Sequence, residues 1–304
     1  METINDRTIQ KMNNYRYRVA EFDFVVELPE RADVDGLLPS FAPFAVEEAK
    51  DDCLFRFSTV EPWLDAYEAD ITEWENSEDD MGYTKLYRNE RGFMILLSYL
   101  RNGKVHRMFV DEDWSRAVAA VDFTDPYVSA VITSLLRIVY SQAILAHQAV
   151  AVHASAVICR GEAALFMGKS GTGKSTHAAL WLNSFEGCSL LNDDNPTVCV
   201  RPDGVWVYGT PWSGKTPCYR NVSAPVKGMV RLVQSPENRY VALKEVEAFA
   251  ALLPGAAVVS KERKLYNCLC DALVQIAERI EIGCLYCRPD RNAARLCRKS
   301  LDMK

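Results

Sequence analysis

The stretch Gly168-Lys-Ser-Gly-Thr-Gly-Lys-Ser-Thr176 carries the residue types that hold a polyphosphate. It fits the phosphate-loop pattern G-x4-G-K-[ST] in full, from Gly168 through Gly173 and Lys174 to Ser175. Gly168, Gly171 and Gly173 let the backbone turn its N–H groups inward, where a Cβ would interfere. Ser170, Thr172 and Thr176 fill the intervening positions of this cofactor-binding stretch. Lys174 supplies a point charge for the β- and γ-phosphates, and the Ser175 hydroxyl is a ligand for Mg2+. Some twenty positions on, Asp193 and Asp194 stand side by side. One carboxylate of such a pair can hold the metal while the other takes a proton from a hydroxyl. Asp-Asp-Asn-Pro is also good turn chemistry.

These groups need elements to position them. Glu162–Met167 reads as a buried strand, and residues 175–184 as a helix whose positive end points at the same phosphates. Residues 150–159 read as one strand, joined to 162–167 by a tight turn at Arg160-Gly161, so that a hairpin leads into the glycine loop. That strand places His153 beside the loop. Residues 188–192 form a strand ending in the Asp pair. A hairpin over 197–208, turning at Pro202-Asp-Gly204, opens onto Gly209-Thr-Pro-Trp-Ser-Gly-Lys215. This second loop either lies over the phosphates or the acceptor, or is plain surface. Residues 227–234 and 284–287 read as strands; residues 243–253, 261–280 and 292–301 read as helices by their period.

Before residue 120, runs at 15–20, 22–28, 55–60, 84–88, 92–100 and 105–110 alternate like strands, with a turn at Asn102-Gly103. An antiparallel, β-rich domain is expected over 1–125, followed by the nucleotide domain over 126–304. A helix over 127–146, started by Asp125-Pro126, joins or covers them. Glu61–Asp80 mixes acids with Trp63, Tyr67 and Trp74 and reads as an exposed acidic edge or loop. His106, alone on its strand, reads as structural.

The 304 residues are 49% hydrophobic and 25% charged, an ordinary globular balance. A net charge of −6 argues against nucleic acid as partner. The N-terminus has no basic-then-apolar leader pattern, and no apolar run reads as a membrane span, so the expected location is cytoplasmic. Ten cysteines are many. They are expected to be free thiols; Cys284-Leu-Tyr-Cys287 has the spacing of half a zinc site, but the second half would have to come from Cys268-Leu-Cys270 within a helix.

His153-Ala-Ser-Ala, the loop Gly168–Thr176 and Leu191-Asn-Asp-Asp194 together resemble the HPr kinase/phosphorylase catalytic domain and the nucleotide core of ATP-dependent phosphoenolpyruvate carboxykinases. Residues 203–215, Leu232-Val-Gln-Ser-Pro-Glu-Asn238 and Arg288-Pro-Asp290 are most similar to the shorter HPr kinase-related proteins. The likeness spans roughly residues 150–300. It implies an α/β fold with a mixed sheet, a P-loop domain of that type behind the β-rich N-terminal domain. It implies an ATP- and Mg2+-dependent kinase that phosphorylates a hydroxyl, often serine, of a protein, peptide or small molecule. Lys174, Asp194 and His153 would then be catalytic, with Asp194 either the base or holding a second metal with His153; Ser175 and Asp193 would be metal-binding, and the N-terminal domain would recognise the acceptor. The chain is short for a carboxykinase and lacks its substrate-arginine motif. A nucleotide-sensing protein without transferase activity, an NTP-hydrolysing or pyrophosphate-using relative, and a homo-oligomeric state all remain open.

Overall fold

The computed structural model describes residues 11–48, 52–60, 71–79, 81–214 and 216–303. The chain divides into two compact units, one comprising Met1–Arg18 with Asp23–Val139, the other Val19–Phe22 with Tyr140–Lys304.

The first unit is built on eight strands: β1 Met12–Val19, β2 Phe22–Pro29, β3 Phe55–Val60, β4 Thr72–Asp79, β5 Gly82–Asn89, β6 Gly92–Ser98, β7 His106–Asp111 and β8 Arg116–Ala120. They lie in the order β1-β2-β3-β8-β7-β6-β5-β4. The sheet is mixed, which corrects the antiparallel expectation: β3 runs parallel to both β2 and β8. Between β2 and β3 the chain includes the short helix α1, Val34–Leu37, and a 3-10 turn. A crossover of that length returns the chain to run in the same direction, which a tight turn cannot do. For its described residues the acidic run is an edge, as one of the two readings had it. Its described end is strand β4, hydrogen-bonded along β5 at the sheet margin. Residues 61–70 and Asp80 lie outside the described residues.

Phe24, Phe41, Phe44, Phe55 and Phe57 are all fully buried in this unit. The Phe24 and Phe55 rings stack at 4.7 Å across paired strands. His106 is buried. Its Nδ1 accepts from the Asp122 backbone N–H, leaving Nε2 to donate to Asp125 Oδ2 at 3.0 Å. The other Asp125 oxygen accepts from the Tyr127 N–H just before helix α2, Val128–Ala143. His106 therefore braces a helix start.

Helix α2 and its 3-10 extension to His147 form a 20-residue segment with mean hydropathy 1.6, long and apolar enough by those measures to cross a membrane. This amends the reading that no apolar run reaches that length. Its apolar face is nonetheless packed inside the protein: Val131, Ile132, Leu135, Leu136 and Val139 are fully buried.

The second unit holds β9 Ala149–Ala151, β10 Ala154–Cys159, β11 Glu162–Met167, β12 Cys188–Asp194, β13 Thr197–Arg201, β14 Gly204–Tyr208, β15 Ser223–Gln234, β16 Arg239–Leu243 and β17 Glu281–Cys287. The path runs β12-β10-β11-β15-β14-β13-β9, with β17 paired to β15 and β16. β10 is antiparallel to β11 and β12, whereas β11, β15 and β17 run parallel. The helices are α3 Lys174–Ser184, α4 Glu245–Leu252, α5 Arg263–Arg279 and α6 Arg291–Ser300.

β11 shows how the layers form. Ala163, Leu165 and Met167 join a core with Leu269, Leu273 and Ile276 of α5, while Ala164 and Phe166 join a second core with Trp181 of α3 and Ala294 of α6. Side chains alternate along a strand, so helices on both faces demand an unbroken apolar run, as β11 has.

Two expectations fail here. Residues 150–159 are not one strand: β9 pairs with β13, β10 pairs with β11 and β12, and His153 sits at the junction. There the His153 N–H donates to Gly255 O and the Val152 N–H to Pro196 O. Nor are all cysteines free, because Cys159 and Cys188 face one another in register on β10 and β12 and are disulfide-bonded. Cys268 and Cys270 lie on α5, Cys284 and Cys287 on β17, all as free thiols. No three His, Cys, Asp or Glu side chains among the described residues are grouped to hold a metal ion.

His177 on α3 is buried, accepts from Trp181 Nε1 at 3.1 Å and meets the Phe166 ring edge-on. Burial drops its pKa from 6.5 to about 4. The unfolded chain therefore takes up this proton first as the pH falls. The stability is intact above about pH 6.5 and is lost as the pH descends toward 4. Between pH 7.5 and pH 5 the wild type should lose about 2 kcal/mol more unfolding free energy than His177→Gln. Urea titrations at the two pH values test this, and equal losses would contradict it.

Candidate functional site

The geometry starts from the register of β10. Ala154 pairs with Met167 on one side and with Asp194 on the other. Met167 is the last residue before Gly168, so the glycine loop and the Asp pair emerge at the same end of adjacent strands. His153, one residue before β10, lies at that end too.

The loop uses its glycines as their backbone angles require. Gly168, Gly171 and Gly173 have φ of 150°, 77° and 108°, values that side-chain-bearing residues rarely adopt. Gly173 caps α3, and Lys174, Ser175 and Thr176 form its first turn. The Thr172 N–H and hydroxyl both donate to Lys169 O, which closes the loop. Ser170, Ser175 and Thr176 are exposed, whereas Lys174 is buried.

Lys174 Nζ donates to Gly168 O at 3.0 Å, to Lys169 O at 3.4 Å and to His153 Nε2 at 2.9 Å. An ammonium has only donors, so Nε2 must accept, and the ring hydrogen belongs on Nδ1. Nδ1 faces Asp194 Oδ1 at 3.0 Å. Lysine, imidazole and carboxylate thus form one hydrogen-bonded chain. The His153 side chain is 40% exposed and that of Asp194 10%. Burial lowers the Lys174 pKa, and the charges of Asp194 and Asp193 push back against that effect.

Asp193 is buried and accepts from the Ser155 hydroxyl of β10. The two acids therefore have different environments. Asp193 is tied to the strand behind it, and Asp194 to the imidazole beside the loop.

Asn192, which the sequence gives only as a member of the motif Leu191–Asp194, sets this turn. Asn192 is fully buried. Its Oδ1 accepts from the N–H groups of Asp194 and Asn195, and its Nδ2 donates to Trp212 O at 2.9 Å and to Thr210. The second glycine loop is thereby drawn against the pair: Gly214 N–H donates to Asp193 O at 2.8 Å, and Ser213 bridges Asp194. A Cβ on Gly214 would stand 2.7 Å from Asp193 O, so only glycine allows this approach. The loop thus lies along the acids; Lys215 is outside the described residues. Gln234, at the end of β15, donates from Nε2 to Gly171 O and Thr172 O. Neither Asn192 nor Gln234 has a spacing signal, because each works through a loop distant in sequence.

The donors near the loop suit a metal carried in on a nucleotide. Mg2+ commonly takes one or two carboxylates and completes its shell with phosphate oxygens and water, so a closed protein cage is not required. Asp193 and the exposed Ser175 hydroxyl are groups of that kind.

No family model matches the sequence, and no curated protein matches it. Among solved structures, the chain is similar to the HPr(Ser) kinase/phosphatase from Coxiella burnetii, at 12% identity over 50% of this chain and 88% of that one, with a TM-score of 0.31. That overlap is too slight to place the chain in a fold family.

Asn192→Ala should orphan donors and acceptors on both loops at once. It should cost on the order of 3 kcal/mol in chemical denaturation, since each buried group left unpaired costs about 1–3 kcal/mol. A change below about 0.5 kcal/mol would show that the turn is held by something else.

Proposed function

We propose that the second unit binds Mg-ATP at the glycine loop and transfers its γ-phosphoryl group to a hydroxyl, with serine in a protein or peptide as the leading acceptor class. The observation that carries this reading is the chain Lys174–His153–Asp194, which ends in a carboxylate beside a glycine loop of left-handed turns. In this reading the loop is a P-loop. Its inward N–H groups and the N-terminus of α3 neutralise phosphate oxygens. Lys174 exchanges its bonds to Gly168 O and Lys169 O for phosphate oxygens and keeps its charge against the γ-phosphoryl group. Mg2+, held by Ser175 and Asp193, would supply further charge neutralisation.

Asp194 is the base. As the acceptor oxygen bonds to phosphorus, the bond between phosphorus and the β–γ bridging oxygen breaks, ADP leaves, and the acceptor proton passes to Asp194. His153 Nδ1–H holds the carboxylate at Oδ1 and so orients it beside the loop. Phosphoryl transfer requires little more than such positioning and charge neutralisation.

Calorimetry should show Mg-ATP binding that Lys174→Ala weakens by at least about tenfold, the loss expected for one charge-assisted hydrogen bond. Asp194→Asn should keep that binding. It should cut transfer of labelled γ-phosphate to serine-containing peptides by about 10²–10⁴-fold, the usual contribution of a general base. Absence of Mg-ATP binding in the wild type, or equal transfer by Asp194→Asn, would overturn the reading.

A further inference from the structure

The hydroxyls around the Asp193–Asp194 pair are not equivalent. Ser155 is buried and donates to Asp193 Oδ1. Thr210 is fully buried, donates to Asn195 O at 2.8 Å and accepts from the Asn192 amide. Either would leave a buried partner unsatisfied if it were drawn into chemistry. Ser213, on the second glycine loop, is different. It is half-buried, and its hydroxyl donates to Thr216 O at 2.7 Å, within its own loop.

Backbone contacts set where Ser213 stands. It is the antiparallel bridge partner of Asp194. The Gly214 N–H bond to Asp193 O, at 2.8 Å, joins residues that flank this pair. Asp194 and Ser213 therefore form the kind of pair that exchanges no bonds of its own, in which opposed side chains come closest. Their Cβ atoms are expected about 4.5–5.5 Å apart. On the other flank, Trp212 O accepts from Asn192 Nδ2 at 2.9 Å, so the loop is pinned on both sides of Ser213. The fit is close: a Cβ on Gly214 would meet Asp194 Cβ at 3.3 Å.

We propose that Ser213 is an acceptor within the chain itself, taking the γ-phosphoryl group of Mg-ATP from the glycine loop of the same molecule. This rests on the phosphoryl-transfer reading above and adds a modification site to it. Rotation about the Ser213 Cα–Cβ bond carries the hydroxyl from Thr216 O to the Asp194 carboxylate. Ser213 Oγ then bonds to the γ-phosphorus. The bond from phosphorus to the β–γ bridging oxygen breaks, and ADP leaves with that electron pair. The hydroxyl proton passes to Asp194. A tethered acceptor needs no encounter step, so its effective concentration exceeds that of a free peptide.

The test incubates the full chain with Mg2+ and ATP labelled in its γ-phosphate, and locates the label by mass spectrometry of the peptide that spans the loop. The wild type should carry it on Ser213, at a first-order rate independent of protein concentration. Ser213→Ala should lose the label, and Ser213→Thr should carry it on the threonine. Asp194→Asn should slow labelling by about 10²–10⁴-fold. Thermal melts should show the variants folded; the wild-type site and rate decide the matter if one is not. Label on another residue, a rate that rises with protein concentration, or equal labelling of Asp194→Asn would overturn the inference. A wild type that phosphorylates added peptides and not itself would overturn it and leave the kinase reading standing. A wild type that labels neither itself nor peptides would overturn both.

Discussion

The register of β10 is the constraint on which the site depends. Its first residue, Ala154, is opposite both Met167 and Asp194. One strand end therefore sets the distance between the glycine loop and the acids. Side chains alternate along a strand, so a slip of one residue would send Asp194 to the other face and bring Asp193 forward. The two acids would exchange environments, the imidazole losing its carboxylate and the Ser155 hydroxyl its acceptor. The register is secured at both ends of the pairing, by the Asn192 turn at the site and by the Cys159–Cys188 link at the far end. Between these ends the core holds it, because Ala154, Ala156 and Val157 are fully buried.

Electrostatics explains why the chain from Lys174 to Asp194 passes through an imidazole. A buried ammonium is costly unless it is paired and hydrogen-bonded. Direct contact with Asp194 would satisfy Lys174, but it would commit the carboxylate to the cation. The neutral ring accepts from one and donates to the other. Lys174 keeps its charge, and Asp194 meets it through the ring. Asp193 is held apart by a neutral hydroxyl, so the adjacent acids do not compete for one partner.

Much of the second unit was legible in sequence. β11 is an apolar run flanked by a glycine turn and a glycine loop, and burial on both faces leaves that pattern intact. What escaped depends on contacts between distant segments. The break at His153 arises because β9 leaves for β13 while β10 pairs elsewhere, although residues 150–159 are apolar apart from His153 and Ser155 and read as continuous. β16 has no fully buried residue and shows no regular alternation. β4, Thr-Glu-Trp-Glu-Asn-Ser-Glu-Asp, is too polar to read as a strand and, among the described residues, gains its pairing from β5. The parallel strands around β3 follow from a crossover rather than from local pattern. The disulfide needs the β10–β12 register before its partners meet. Within the site, the glycines, the lysine and the acids announce themselves by type and spacing. Asn192, Ser155 and Gln234 do not, because their partners are set by folding.

The convergence of Lys174, His153 and Asp194 is tested most directly by nitrogen-15 NMR of the His153 ring, at pH 8, where an ordinary imidazole is neutral. The geometry predicts the proton on Nδ1, with Nε2 showing the shift of a hydrogen-bond acceptor, and loss of that tautomer preference in Asp194→Ala. A ring protonated on Nε2, or one indifferent to Asp194, would mean that the strands do not bring these three groups together.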